Sequence, residues 1–313
     1  MGAKANHHYV PQFYLRNFAE GVGRKARVWF FDEETRRADR TLVRNVASAR
    51  YFNRIEADGH HPNAVEDALS KLESEMAGPL TEVIEARDFP SADHFSYVMN
   101  LAALLSVRNP GPRSQMEKFH QSIADKVLGL VTSSKEVWES QTRKMKEDGY
   151  DLGGSVTFED MKRFYEERRY TIVIDQTHLI GLEFEMIGPV LKTLSNRNWC
   201  FATAPEGSQY ATSDNPVCLE WTNELRRSNM PVGHGLRGTN LIFPLSPKVM
   251  LIGSFENIAE SISHTDEQVI SVNTIVARNS RRQIYAKSGD FKLNLRNRSA
   301  VRGAELPRYL GVD

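Results

Sequence analysis

His7 and His8 stand side by side near the start of the chain, followed by Tyr9, Val10, Pro11, Gln12, Phe13, Tyr14, Leu15, Arg16, Asn17 and Phe18. An imidazole titrates near neutrality and either takes a proton from water or binds a metal ion, so one of the pair is a candidate base or ligand. Adjacent residues of an extended segment face opposite sides, which leaves the other histidine as scaffold. Thr212, Ser213, Asp214, Asn215 and Pro216 form the second group. Pro216 biases Asn215 toward extended backbone, and Ser, Asp and Asn bond readily to local amides, which is enough to order a turn with no further role. In the functional alternative, that turn holds the Asp214 carboxylate and the Asn215 amide above a sheet, a pair suited to binding a metal, orienting an imidazole or gripping a sugar hydroxyl. Glu66 and Glu73, seven residues apart on an expected helix, lie nearly above one another at the edge of its apolar stripe. Either their stems cover the core or both carboxylates reach a common neighbour. The catalytic candidates are thus His7, His8, Asp214 and Asn215, and a divalent metal would be held by His8, Asp214 and Glu73.

These groups also carry a resemblance. His-His-Tyr-Val-Pro with Leu15 and Phe18, Thr-Ser-Asp-Asn-Pro at 212–216 and Phe-Pro-Leu-Ser-Pro at 243–247 are similar, in order and spacing, to the motifs of the microbial family known as domain of unknown function 4238. Glu66, Glu73, Arg108 and Asn273 echo further positions, so the resemblance spans residues 7–286. It implies a fold class and a candidate site. The His-His-x-x-Pro start also resembles the entry of HNH-type nucleases, but after Asn17 the next histidine is His60, and the Gly-rich turn and late histidine of that pattern are missing. No Gly-rich phosphate loop, Gly-x-Ser-x-Gly elbow, Cys-x-x-Cys pair or His-Glu-x-x-His occurs, which removes local support for nucleotide triphosphatase, serine hydrolase and zinc protease chemistry.

Elements that would position these groups follow from the pattern. Arg27–Phe31 and Thr41–Val46 read as a hairpin around a charged turn. Val65, Leu69, Leu72, Met76, Leu80 and Val83 recur at helical spacing, with a kink expected at Pro79. Phe95 to Leu105 predicts the next helix, with Arg108 in its last turn, where the helix dipole favours a cation, and Asn109–Pro112 as its stop. Residues 113–148 are helical in propensity and highly charged, ending at Gly149–Gly154. They are expected as a lid over the site or a surface for a second copy. Thr157 and Asp160 predict a helix start, and a longer helix should turn Leu179, Leu182, Met186, Val190, Leu191 and Leu194 inward. Short strands then follow at 199–203, 210–212, 217–221, 240–243 and 249–253, a helix at about 267–277, and a strand near 283–286. Phe243–Pro247 reads as a rigid crossover, and Asn273, inside an apolar helix face, needs a loop to bond. The resulting class is α+β, with an N-terminal hairpin, a helical middle and a mainly antiparallel C-terminal sheet. One compact domain is expected over 1–290, with a helical insertion at about 113–154 and a basic tail at 291–313.

Forty basic and forty acidic residues cancel, so no global field draws the chain to nucleic acid or to an anionic membrane. Charge is segregated locally: residues 56–93 carry ten acids against Lys71 and Arg87, and residues 278–302 carry eight bases against Asp290. Cys200 and Cys218 have no metal-binding spacing, and so sparse a pair points to a reducing compartment. With no signal-like run and no long apolar stretch, a soluble cytoplasmic protein without a membrane partner is expected. The leading functional reading is a metal-assisted, nuclease-like hydrolase of a phosphodiester in nucleic acid or nucleotide, with Arg278, Arg281 and Arg282 contacting phosphate. The alternative is a non-catalytic binding or regulatory module that recognises a protein or nucleic-acid partner, in which the histidines and Asp214 are buried and satisfied.

Overall fold

The computed structural model describes residues 5–150, 156–222 and 231–309. Two compact units are present, Pro112–Leu179 and the remainder on either side of it. In the larger unit the chain opens with β1 (Asn6–His8), α1 (Gln12–Arg16), β2 (Ala19–Glu20), β3 (Arg27–Asp32), β4 (Arg37–Leu42) and β5 (Ser48–Arg50). The expected hairpin is β3–β4, paired from Arg27↔Leu42 to Asp32↔Arg37, so its turn is shorter than the charge pattern suggested. β1 pairs antiparallel with β5, which clips the histidine pair to the strand that follows the hairpin.

Two helices come next, α2 (Ala64–Ala86) and α3 (Ala92–Val107). Leu69, Met76, Leu80 and Val83 of α2 are buried, the helix runs through Pro79, and it stops at Arg87 with φ 55°. α3 stops just before Asn109–Pro112, as expected, and the same segment also starts α4 (Pro110–Val131), because proline fits the first helical turn, where no amide partner is needed. α5 (Lys135–Glu147), α6 (Phe158–Glu167) and α7 (Gln176–Ser195) follow. Thr157 caps α6 by accepting from the Asp160 amide. The smaller unit therefore extends to Leu179, well past the expected end of an insertion near residue 154. Of the residues expected to point inward from α7, Leu179, Val190 and Leu194 are buried, but Met186 is exposed.

The C-terminal part contains β6 (Asn198–Thr203), β7 (Thr212–Ser213), β8 (Cys218–Trp221), β9 (Thr239–Pro244), β10 (Val249–Ser254), β11 (Ser261–Ser263), α8 (Asp266–Asn279), β12 (Gln283–Ala286), β13 (Lys292–Leu295), β14 (Arg298–Arg302) and α9 (Leu306–Tyr309). One sheet has the order β11-β6-β10-β9-β8 and is antiparallel except for β11 against β6. The other runs β2-β3-β12-β7 with β4 on β3, so the N-terminal hairpin and the last predicted strand share a sheet. Phe243–Pro247 is the tight turn between β9 and β10, with Ser246 Oγ accepting from the amides of Lys248 and Val249. Residues 292–309 are folded where a tail was expected. β13 and β14 pair, and Leu293, Val301 and Leu306 are buried with Trp29, Phe31 and Phe291. Lys292, Arg298 and Arg302 stay exposed while Leu293 and Val301 turn inward, so the basic charge sits on the outer face of a half-buried hairpin.

Candidate functional site

The apolar side of the N-terminal motif is buried. Val10, Tyr14, Leu15 and Phe18 are inaccessible to solvent, and the Tyr14 ring stacks on Phe243 with centroids 5.6 Å apart. α1 is only five residues long, too short to be stable alone, so this packing is what holds it.

His7 faces the interior. Its Nδ1 accepts the Asn53 amide at 2.9 Å, while the Asn53 side chain donates to Glu66 Oε2 at 2.6 Å, itself 4.0 Å from His7 Nδ1. A neutral imidazole that accepts at Nδ1 carries its proton on Nε2. In that state Nε2 of His7 is the donor and Nδ1 is already occupied. His8 lies on the opposite side, as strand alternation requires. Its ring donates to the Arg44 carbonyl, and Nε2 is buried with no hydrogen-bond partner among the described residues. Burial, with Arg108 and Arg16 nearby, holds the imidazole below its ordinary pKa and hence neutral near pH 7, although Glu66 acts the other way. The His8 carbonyl accepts from Arg108 Nη2 at 2.8 Å, so Arg108 does more than complement a helix dipole.

Asp214 is the most fully occupied carboxylate of the motif residues. Oδ1 accepts the Arg281 amide at 2.8 Å, and Oδ2 accepts those of Arg282 and Gln283 at 2.8 and 2.9 Å. Burial, the larger effect, lifts this carboxyl above its usual range against the pull of the three amides. Asn215 spans α3 and α8: its Oδ1 accepts from Asn109 Nδ2 at 3.3 Å and its Nδ2 donates to the Asn279 carbonyl at 3.0 Å. Asn273, as a buried amide must, uses both ends, accepting the Ala211 amide and donating to the carbonyls of Gln209 and Lys292. Glu73 sits half-buried on α2, two turns beyond Glu66.

Among the described residues no three His, Cys, Asp or Glu side chains are grouped as a metal ion needs, so the set His8, Asp214 and Glu73 is not assembled. What reaches from the histidine motif toward Asp214 is a tyrosine. The Tyr9 hydroxyl bonds that of Tyr285, which donates to Gln283 Oε1 at 2.7 Å, and Gln283 donates to Asp32 Oδ2 at 2.6 Å. Burial pushes Tyr9 up to about 12 and Tyr285 well above its ordinary value, so both phenols stay protonated.

The match to the family model for proteins of unknown function (DUF4238) covers residues 6–290. The chain belongs to this family. No curated protein and no solved structure matches it. In this DUF4238 member the three motifs converge through hydrogen bonds, with Tyr14 and Tyr9 of the first motif and Asn53 and Gln283, which motif reading passed over, as linking residues. Spacing gave little sign of these links, because Tyr14 bonds Thr212, Asn53 bonds His7 and Gln283 bonds Asp32 across 198, 46 and 251 residues.

A separate cavity of about 680 Å³ opens beside α8, β12 and β13 in the larger unit. Arg278, Arg282 and Arg296 line it with Glu33, over the apolar side chains of Phe31, Ile284 and Leu293. Arg278 and Arg296 make no ion pair with a described residue, while Arg282 is held by Asp32 at 2.7 Å and Glu34 at 2.6 Å. Arg281, the third expected phosphate contact, turns elsewhere and donates to the Pro110 carbonyl at 3.0 Å.

No helix among the described residues is long and apolar enough to cross a membrane.

Proposed function

We propose that this protein is a binding module, the second of the two readings, and that it takes a phosphate-bearing group, the terminal phosphate of a nucleotide or nucleic acid, in the cavity beside α8. The observation that carries this is the pair of uncompensated guanidinium groups of Arg278 and Arg296 over an apolar floor, in a cavity within the size range of ligand sites, about 300–1,000 Å³. Guanidinium matches phosphate oxygens with two parallel bonds, and the apolar floor suits a base or sugar face. The hydrolytic reading has less behind it, because His7 Nδ1 is taken by the Asn53 amide and Asp214 spends both oxygens on backbone amides.

Titration calorimetry with nucleoside monophosphates and a 5′-phosphorylated oligonucleotide, with and without a divalent metal, tests the proposal. Expected is binding without turnover, weakened about tenfold or more by Arg278→Ala or Arg296→Ala and by added salt. Turnover in the metal arm, or binding indifferent to both substitutions, overturns it.

Association with a second copy through the smaller unit is part of the same proposal. Among its described residues ten large apolar side chains are exposed, Phe119, Ile123, Val127 and Leu130 of α4 among them. Residence in a reducing compartment such as the cytoplasm is supported by Cys200 and Cys218, both buried and unbridged.

A further inference from the structure

Cations converge at a second place, the outer wall of the motif segment. Gln12 and Arg16 of α1, Arg24 of the 3-10 turn Gly23–Lys25 and Arg44 of the turn Val43–Asn45 line a cavity of about 310 Å³ floored by Ala26 and Val43. Among the described residues no carboxylate lines it. The three arginines are exposed, and none forms an ion pair with a described residue; Arg16 has only a 3.4 Å contact to Gln12 Oε1.

Such a cluster needs a physical reason. Two unit charges 4 Å apart repel by about 1 kcal/mol even in water, and a solvated surface normally interleaves signs to avoid this. Among the described residues the other polar side chain on the cavity wall is an amide, Gln12, which donates as well as accepts. Arginine is also the side chain whose planar fork matches a phosphate group. Three of them with a donor amide around one cavity make a complementary site for a compact oxyanion, and the apolar floor leaves room for the first atoms of whatever the group is attached to.

The cavity is joined to the histidine motif. The His8 ring donates to the carbonyl of Arg44, and the Arg16 guanidinium acts on the His8 charge. Gln12 and Arg16 lie four and eight residues after His8, so one side of the motif is packed in the core while the other presents cations.

We propose that this cavity is an oxyanion site, separate from the cavity beside α8, that takes a phosphate monoester group between Arg16, Arg24 and Arg44. Inorganic phosphate is the probe, titrated by calorimetry into the full chain carrying Arg278→Ala and Arg296→Ala, so that only this site reports. Saturable uptake is expected, weakened about tenfold or more by adding Arg24→Ala or Arg44→Ala, both exposed positions whose loss leaves the urea midpoint unchanged. Bound phosphate also brings negative charge toward His8 and raises the titration midpoint of its ring ¹⁵N signals, and Arg44→Ala removes that rise. No saturable uptake in the double variant, uptake that neither arginine substitution alters, or equal competition by chloride would falsify the site. Loss of nucleotide binding in that same double variant bears only on the cavity beside α8, so the two proposals fail separately.

Discussion

The Tyr14 hydroxyl lies 2.7 Å from Thr212 Oγ1 and donates to the Pro244 carbonyl at 2.6 Å. Its single proton goes to the carbonyl, so Thr212 is the donor in the other bond. This one buried phenol therefore joins the histidine motif, the Thr-Ser-Asp-Asn-Pro turn and the end of β9. Burial lifts its pKa far out of reach, and no chemistry is asked of it.

Tyr14→Phe keeps the ring stacked on Phe243 but orphans a buried hydroxyl and takes one donor from a buried carbonyl. A loss of about 1–3 kcal/mol in urea unfolding is expected. Thr212→Val removes the same bond from the other side, so the two substitutions should be clearly non-additive in a double-mutant cycle. Additive losses would show that the hydroxyl pair is not coupled.

Asp214 gives a sharper contrast between lock and catalyst. Asp214→Ala leaves the amides of Arg281, Arg282 and Gln283 without their acceptor, at the start of the strand that carries Arg282 into the cavity. Since each bond to a charged group contributes about 1.5–3 kcal/mol, a loss well above 3 kcal/mol is expected, with Asp214→Asn intermediate. A variant of unchanged stability would mean that the carboxylate is there for something other than holding the loop.

Period and turn chemistry made much of this fold legible before any coordinates. The hairpin at β3–β4, the helices α2 and α3, the C-terminal strands β6 to β10 and helix α8 all follow from alternation, 3.6-residue spacing and Gly, Pro and Asn punctuation. Two kinds of error remain, and each has a physical cause. In residues 292–309 composition was weighed above position: a basic hairpin still buries Leu293 and Val301. At the candidate site the sequence shows residue types but not the partners that occupy them. A carboxylate beside three backbone amides and one beside a metal look alike in sequence, because the amides that occupy Asp214 belong to residues 281–283 and carry no side-chain signature.

Acid should loosen the larger unit through its histidines. Burial, with Arg197 adding to it, lowers His234 to about 4, and burial also lowers His8 and His264. A histidine depressed in the fold takes up its proton more readily once unfolded, so the stabilisation is complete above about pH 6.5 and is lost as pH falls toward 4. The urea midpoint should therefore decline from pH 7 to pH 4, and His234→Gln should flatten part of that decline while keeping the backbone carbonyl that accepts from Arg197. An unchanged slope in the variant would remove His234 from the account.

The smaller unit offers the remaining test. Phe119, Ile123, Val127 and Leu130 follow one another at intervals of four, four and three residues, which sets them along one stripe of α4. Their exposures of 62, 43, 52 and 67% are high for a run of large apolar side chains, and each kept in water costs about 25 cal/mol per Å². A helix with such a stripe is driven to lay it against another, as in a coiled-coil seam. Light scattering after size exclusion should therefore show a concentration-dependent dimer. Phe119→Asp with Leu130→Asp, both at exposed positions, should weaken it at least about tenfold without lowering the unfolding midpoint, because burying either charge in the seam costs more than 1.4 kcal/mol. A monomer at every concentration, or a dimer that ignores both charges, would leave the stripe without a second copy to cover it.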